Sequence, residues 1–238
     1  MHQLLTHRCR SLSTTFNNLV FWAGLPRSGG TLLSSILSQN PNISTGRLSG
    51  LCDLMWDTKC NLERFEFESQ QPFQNKHNVI SSLPNLYYKE KQTPVVMDRC
   101  RSWTMPANIG MILEFVTDKP KIICSVRDYD SVRLSYEQLF LRNNRDDFSG
   151  SLYETEMNRN IYGVEYAKSL DSEMFLFVDY DELVDDTKAQ LSKIDTFIGL
   201  DEFSYDLNCI ENKHQESWSV DKLDGMHDVR ETVSRRHL

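Results

Sequence analysis

Leu19-Val20-Phe21-Trp22-Ala23-Gly24-Leu25-Pro26-Arg27-Ser28-Gly29-Gly30-Thr31 is an apolar run that breaks into a glycine-rich loop. The nucleotide-binding loop G-x-x-x-x-G-K-[ST] uses its lysine to reach the terminal phosphates of the ligand. Gly24 and Gly29 hold the two glycine places and Thr31 the hydroxyl place, but Gly30 stands where the lysine belongs. The side-chain cation has moved forward to Arg27. Backbone N–H groups and a helix N-terminus can still cradle a phosphate, because that chemistry belongs to the main chain. The loop therefore reads as a phosphate site altered for something other than ordinary ATP hydrolysis. The plain alternative is a βα turn whose glycines serve tightness alone.

Outward from the loop, the local patterns supply its expected context. Val20 and Phe21 favour extended backbone, and Leu32, Leu33, Ile36 and Leu37 form one helical stripe that Asn40-Pro41 ends. Four short apolar runs read as strands: Leu19–Ala23, Pro94–Met97, Lys121–Val126 and Met174–Val178. Helical patterns lie between and after them, over Pro106–Thr117, Tyr129–Asn143, Leu152–Leu170 and Glu182–Ile198. Strands apolar on both faces and separated by helices predict an α/β fold, a P-loop-like, doubly wound parallel sheet flanked by helices in a single domain. Residues 40–93 read as an insertion of helices and loops, and residues 199–238 as a polar tail on the surface.

The chain's 238 residues suffice for one sizeable domain. A net charge of −8 argues against nucleic acid as a partner, while leaving room for a local basic cleft. No stretch approaches the roughly 20 apolar residues of a membrane span. Six cysteines without C-x-x-C pairing read as reduced, mostly buried thiols of a cytoplasmic protein. The six histidines lack metal-ligand spacing, so no metal site is assigned. Residues 1–17 carry basic and hydroxyl side chains but no acid and read as an N-terminal extension.

Ligands of doubly wound sheets bind at the C-terminal strand ends. The run ending at Val126 is followed by Arg127-Asp128 and then by a helix carrying Ser131, Arg133 and Ser135. An arginine there, with serines on the next helix, can hold a second phosphate. Equally, Asp128 can cap that helix and leave Arg127 a surface cation.

Four elements, in the family's order, resemble the sulfotransferase superfamily, closest to its tyrosylprotein and bacterial-type branch. Gly-Leu-Pro-Arg-Ser-Gly-Gly-Thr-Leu-Leu (24–33) is similar to the loop that holds the 5′-phosphosulfate. Val126-Arg127-Asp128, with Ser135 eight positions after the arginine, resembles the 3′-phosphate motif. Val178-Asp179-Tyr180-Asp181-Glu182-Leu183 is similar to the element whose tyrosine lies near the adenosine, and Leu191–Leu200 resembles the helix that follows it. The resemblance implies a P-loop domain over residues 18–238 that transfers a sulfuryl group from 3′-phosphoadenosine 5′-phosphosulfate to an acceptor hydroxyl or amine. The donor is a co-substrate, and no metal is expected, because a sulfuryl group in transit carries less negative charge than a phosphoryl group. On the same resemblance, Arg27, Ser28, Gly29, Gly30, Thr31 and Leu32 would hold the 5′-phosphate end, Arg127 and Ser135 the 3′-phosphate, and Tyr180 the adenosine. Arg27 would steady the departing phosphate oxygen and Arg99 the sulfuryl oxygens.

The chain departs from that pattern in two places. Gly30 replaces the first threonine of the usual Thr-Thr pair. The usual bases, a glutamate after the first helix or a histidine after the second strand, are missing: the matching segments read Thr45-Gly46-Arg47-Leu48-Ser49 and Met97-Asp98-Arg99-Cys100-Arg101. Asp98 is the candidate base and Asp53 the next; alternatively Asp98 pairs with a neighbouring arginine and Asp53 faces solvent. The tail segment Gly225-Met226-His227-Asp228-Val229-Arg230 reads either as a loop closing on the 3′-phosphate or, preferred, as a solvated charge run. Trp103 and Trp218 read as core aromatics or acceptor-pocket walls. A P-loop kinase using Asp98 for magnesium, and a non-catalytic nucleotide-binding module lacking a base, are the alternative functions. The acceptor and the oligomeric state are not legible.

Overall fold

Alternation along the opening apolar run sends Val20 and Trp22 into one hydrophobic cluster, and Phe21 and Ala23 into another on the opposite face. The computed structural model describes residues 18–64, 75–212 and 223–233. The proposed extension at 1–17, and Trp218, lie outside the described residues. Asn18–Gly24 forms strand β1. Burial on both faces makes it a central strand: it pairs in parallel with β3 (Val95–Arg99) on one edge and β4 (Lys121–Val126) on the other. β2 (Ile43–Ser44) lies beyond β3, and β5 (Phe175–Asp179) beyond β4. The sheet is parallel, with order β2-β3-β1-β4-β5.

Helices cover both faces. α1 (Gly30–Leu37) and α8 (Thr187–Ile198) pack Leu33, Ile36, Ile194 and Ile198 against Val20, Trp22 and Ile123. The other face carries α2 (Leu51–Leu62), α3 (Lys76–Tyr87), a 3-10 turn (Arg101–Thr104), α4 (Pro106–Phe115), α5 (Tyr129–Arg142) and α6 (Leu152–Ser169). α7 (Tyr180–Asp185) leads directly from β5 towards α8. The architecture is the predicted doubly wound α/β sheet in one domain.

Three local readings change. β2 went unpredicted because two residues carry no periodicity. The helix expected over Glu182–Ile198 is two helices, because Asp186 leaves helical backbone and its carboxylate caps the second by accepting from the Ala189 amide. Among the described cysteines, Cys52 and Cys124 are buried and Cys100 half-buried, but Cys60 and Cys209 are exposed. Burial pushes the Cys124 thiol up to about 12.

The chain leaves β1 for β3 on one side and returns to β4 on the other. The C-terminal ends of these neighbouring strands open the crevice where doubly wound sheets bind ligands. Gly24, Arg99 and Arg127 all stand at that rim.

Candidate functional site

Gly24 closes β1 at φ +126°, and a side chain there would meet the Ser125 carbonyl oxygen 2.2 Å from its Cβ. Only glycine lets the loop leave so close to β4, where the Leu25 amide donates to that same oxygen at 2.8 Å. The loop then turns through left-handed backbone at Arg27 (φ +58°) and Gly29 (φ +79°). The buried Ser28 hydroxyl ties it together by donating to the Leu25 carbonyl at 2.6 Å. α1 starts at Gly30 with no side-chain cap and no acid in its first turn. Its leading amides, at Gly30, Thr31 and Leu32, are the groups that a helix leaves without intrahelical partners.

Three strand ends and one helix bring side chains onto this turn. Arg127, just past β4, is buried with its guanidinium 4.3 Å from the centre of the Tyr180 ring, and its Nη1 donates to the Arg27 carbonyl at 3.2 Å. Its Nε is buried without a hydrogen-bond partner. Asp128 does cap α5, accepting from the Ser131 amide at 2.8 Å, yet Arg127 is no surface cation. One half of the plain alternative therefore holds and the other fails. Ser135, one turn further along α5, accepts from Arg27 Nε at 3.1 Å. Tyr180 is placed by Asp179, whose carboxylate accepts from the Asp181 and Glu182 amides and so starts α7 directly at the end of β5. Arg99, at the end of β3, lies over the Trp22 ring at 5.0 Å and reaches the start of α1.

The resulting cleft encloses about 840 Å³, counting its open mouth. It is lined by Arg27, Gly29, Gly30, Thr31, Leu32, Arg99, Arg127, Ser135 and Tyr180, gathered from the loop, α1, β3, α5 and α7. Ser28 supports it from beneath. Two further arginines, Arg101 and Arg230, also line it. A chain of net charge −8 thus concentrates five guanidinium groups in one crevice.

Asp98 is not in that crevice. Its side chain is fully buried on the opposite side of β3 and accepts three hydrogen bonds, each 2.6 Å long, from Ser49 Oγ, Tyr88 Oη and Trp103 Nε1. Burial pushes its carboxyl above the ordinary range, although the three donors oppose that shift. The reading of Asp98 as a base open to an acceptor is therefore corrected, and so is its alternative as an arginine partner. Trp103 is a fully buried core residue packed edge-on against Phe21. Asp53 lies exposed on the first turn of α2.

The tail also differs from the preferred reading. Residues 223–233 run along the cleft as a strap, while the charged Asp228, Arg230 and Glu231 stay exposed, so the solvated reading holds for those side chains and fails for Leu223, Met226 and His227. Leu223 is buried beside α5, and Asp224 and Asn143 exchange hydrogen bonds between the Asn143 side chain and the Asp224 main chain. Arg27 Nη1 donates to the Met226 carbonyl, His227 Nδ1 sits 3.4 Å from Thr31 Oγ1, and the Ile210 amide donates to the Glu231 carbonyl. The one signal in the sequence was Gly225, whose φ of +82° marks the turn into the strap.

The description "Sulfotransferase family" matches residues 20–205, well over half of the chain, and the chain belongs to that family. A sulfotransferase domain from the olefin synthase of Synechococcus PCC 7002 superposes with a TM-score of 0.55 at 21% identity, over 87% of this chain and 81% of that one. A sulfotransferase domain from the curacin biosynthetic pathway gives 0.54 at 18% identity, over 79% and 76%. A sulfotransferase from Alicyclobacillus acidocaldarius gives 0.53 at 13% identity, over 85% and 86%. At these identities the likeness is one of fold. A search of curated protein sequences returns no match.

Proposed function

We propose that this member of the sulfotransferase family transfers a sulfuryl group from 3′-phosphoadenosine 5′-phosphosulfate to an acceptor hydroxyl or amine and releases the 3′,5′-bisphosphate. The observation that carries the reading is the buried, unpartnered Nε of Arg127 beside the uncapped start of α1. An orphaned buried donor costs about 1–3 kcal/mol, and one on a charged group costs more, so its retention fits an anionic partner. An arginine and an uncapped helix start on one cleft would suit a nucleotide with phosphates at both ends of its ribose.

The donor supplies an activated sulfuryl group; the chain supplies binding, orientation and charge. The amides of Gly30, Thr31 and Leu32 and the Thr31 hydroxyl hold the 5′-phosphate end. Arg127 and Ser135 take the 3′-phosphate, and Tyr180, stacked on Arg127, flanks the adenosine. Arg27 neutralises charge growing on the departing phosphate oxygen, and Arg99 neutralises the sulfuryl oxygens. Asp98, on which a magnesium-dependent kinase reading relies, lies outside the cleft and gives that reading no support.

The test is direct. Calorimetry should show tight binding of 3′-phosphoadenosine 5′-phosphate and weak binding of AMP. ³⁵S-labelled donor should pass its label to members of a panel of phenols, alcohols and amines. Preference for ATP with magnesium over the bisphosphate would overturn the reading.

A further inference from the structure

We propose that His227, carried on the strap, is the proton acceptor of this site, an inference that rests on the sulfuryl-transfer reading above. The two carboxylates singled out in the sequence fail on position. Asp98 is sealed beneath Ser49, Tyr88 and Trp103, and Asp53 faces solvent. The cleft lining offers few other groups able to take a proton near neutrality. Tyr136 keeps its proton, because burial pushes its phenol up to about 12. Asp228 lies at the rim, where its largely exposed carboxylate meets Arg142 at 4.0 Å. His227 lines the cleft against the first turn of α1.

Its placement is built from several segments. The Asn212 side chain donates to the His227 carbonyl at 2.9 Å, and the preceding residue's carbonyl accepts from Arg27. The ring meets the loop hydroxyl through Nδ1, 3.4 Å from Thr31 Oγ1. When Nδ1 carries the proton and donates to that hydroxyl, Nε2 holds the basic lone pair. Arg27, Arg99, Arg101, Arg127, Arg230 and Asp228 line the same cleft.

In the step assigned to it, the acceptor oxygen bonds to sulfur while its proton passes to His227 Nε2. The bond between sulfur and the 5′-phosphate oxygen breaks, and its electron pair stays on the bisphosphate. The proton then passes to solvent. A histidine base contributes on the order of a hundredfold to ten-thousandfold.

The test uses the full chain, its H227N and H227A variants, ³⁵S-labelled donor, and water plus the same acceptor panel. In H227N the amide keeps a donor near Thr31 but no basic nitrogen. It should bind 3′-phosphoadenosine 5′-phosphate within about threefold of wild type while transfer falls at least about a hundredfold. H227A should lose transfer likewise and regain part of it in added imidazole. Bisphosphate affinity lost in parallel with transfer would make His227 a phosphate ligand and overturn the assignment. So would unchanged transfer in H227N, or a wild-type chain that binds the bisphosphate yet moves no sulfuryl group. A wild-type chain that does not bind the bisphosphate would instead overturn the sulfotransferase reading itself.

Discussion

The guanidinium of Arg99 occupies the space that a side chain at Gly30 would need: its Nη2 lies 2.4 Å from the ideal Cβ position. Glycine here does not merely drop the hydroxyl that relatives carry. It admits a cation from β3 to the start of α1, so the lysine missing from the loop is replaced in space by an arginine from another strand.

Gly30→Thr should therefore displace Arg99 and lower transfer, even though it restores the family's hydroxyl. Arg99→Ala should lower transfer by itself. In the double variant the threonine should add little, giving a coupling of about 0.5–3 kcal/mol in a double-mutant cycle on transfer rate. Additive losses would show that the two positions act separately.

Arg127→Ala removes the buried cation while leaving α1 and the loop amides in place. Charge-assisted contacts contribute about 1.5–3 kcal/mol, so the preference for the 3′,5′-bisphosphate over AMP should fall roughly tenfold to a hundredfold. AMP affinity should change less. Calorimetry of both nucleotides on both proteins measures this; equal losses for the two ligands would remove Arg127 from the 3′-phosphate.

Arg27 joins three segments, holding Ser135 on α5 and the Met226 carbonyl on the strap from its own loop. Arg27→Ala should raise the transfer barrier by about 3 kcal/mol if the group acts as an oxyanion stabiliser, with a smaller loss of donor affinity. It should also release the strap, seen as faster amide hydrogen exchange over residues 223–233. Normal exchange with weak binding would leave Arg27 as an anchor for the ligand alone.

The parts of this site that the sequence revealed are those whose chemistry is local. Gly24, Arg27 and Gly29 lie within six positions, and Arg127 and Ser135 face one crevice because a strand end and the next helix fix their offset. Tyr180 was readable from the likeness of residues 178–183 to a family element. The strap was not, because His227 and Thr31 are 196 positions apart and only tertiary folding brings them together. Asp98 was misread because its partners come from Ser49, Tyr88 and Trp103, and no spacing announces that three donors converge on one carboxylate. Strand ends face the ligand on average, but the side chain at any one position follows the alternation of the strand. At Asp98 that alternation points away from the cleft, and at Arg99 towards it.

Asp98 consequently makes a prediction about stability rather than chemistry. Asp98→Ala would strand the buried Trp103 indole N–H along with two hydroxyls, a loss of about 3–5 kcal/mol measured by denaturant or thermal unfolding. Asp98→Asn should cost much less, since its amide oxygen can still accept from Trp103 while the Ser49 and Tyr88 hydroxyls rotate to accept from its amide nitrogen. Bisphosphate binding and transfer should persist in Asp98→Asn. The pH dependence follows from the direction of the shift. Folding raises the carboxyl above its ordinary 3.8, so the folded state binds the proton more tightly than the unfolded one. The stability tied to that proton is whole below 3.8 and is lost as pH rises through the raised value. Asp98→Asn lacks this loss, so the stability gap between wild type and variant should narrow from pH 4 upwards. A gap that widens with pH would mean that the three donors hold Asp98 ionised in the folded chain.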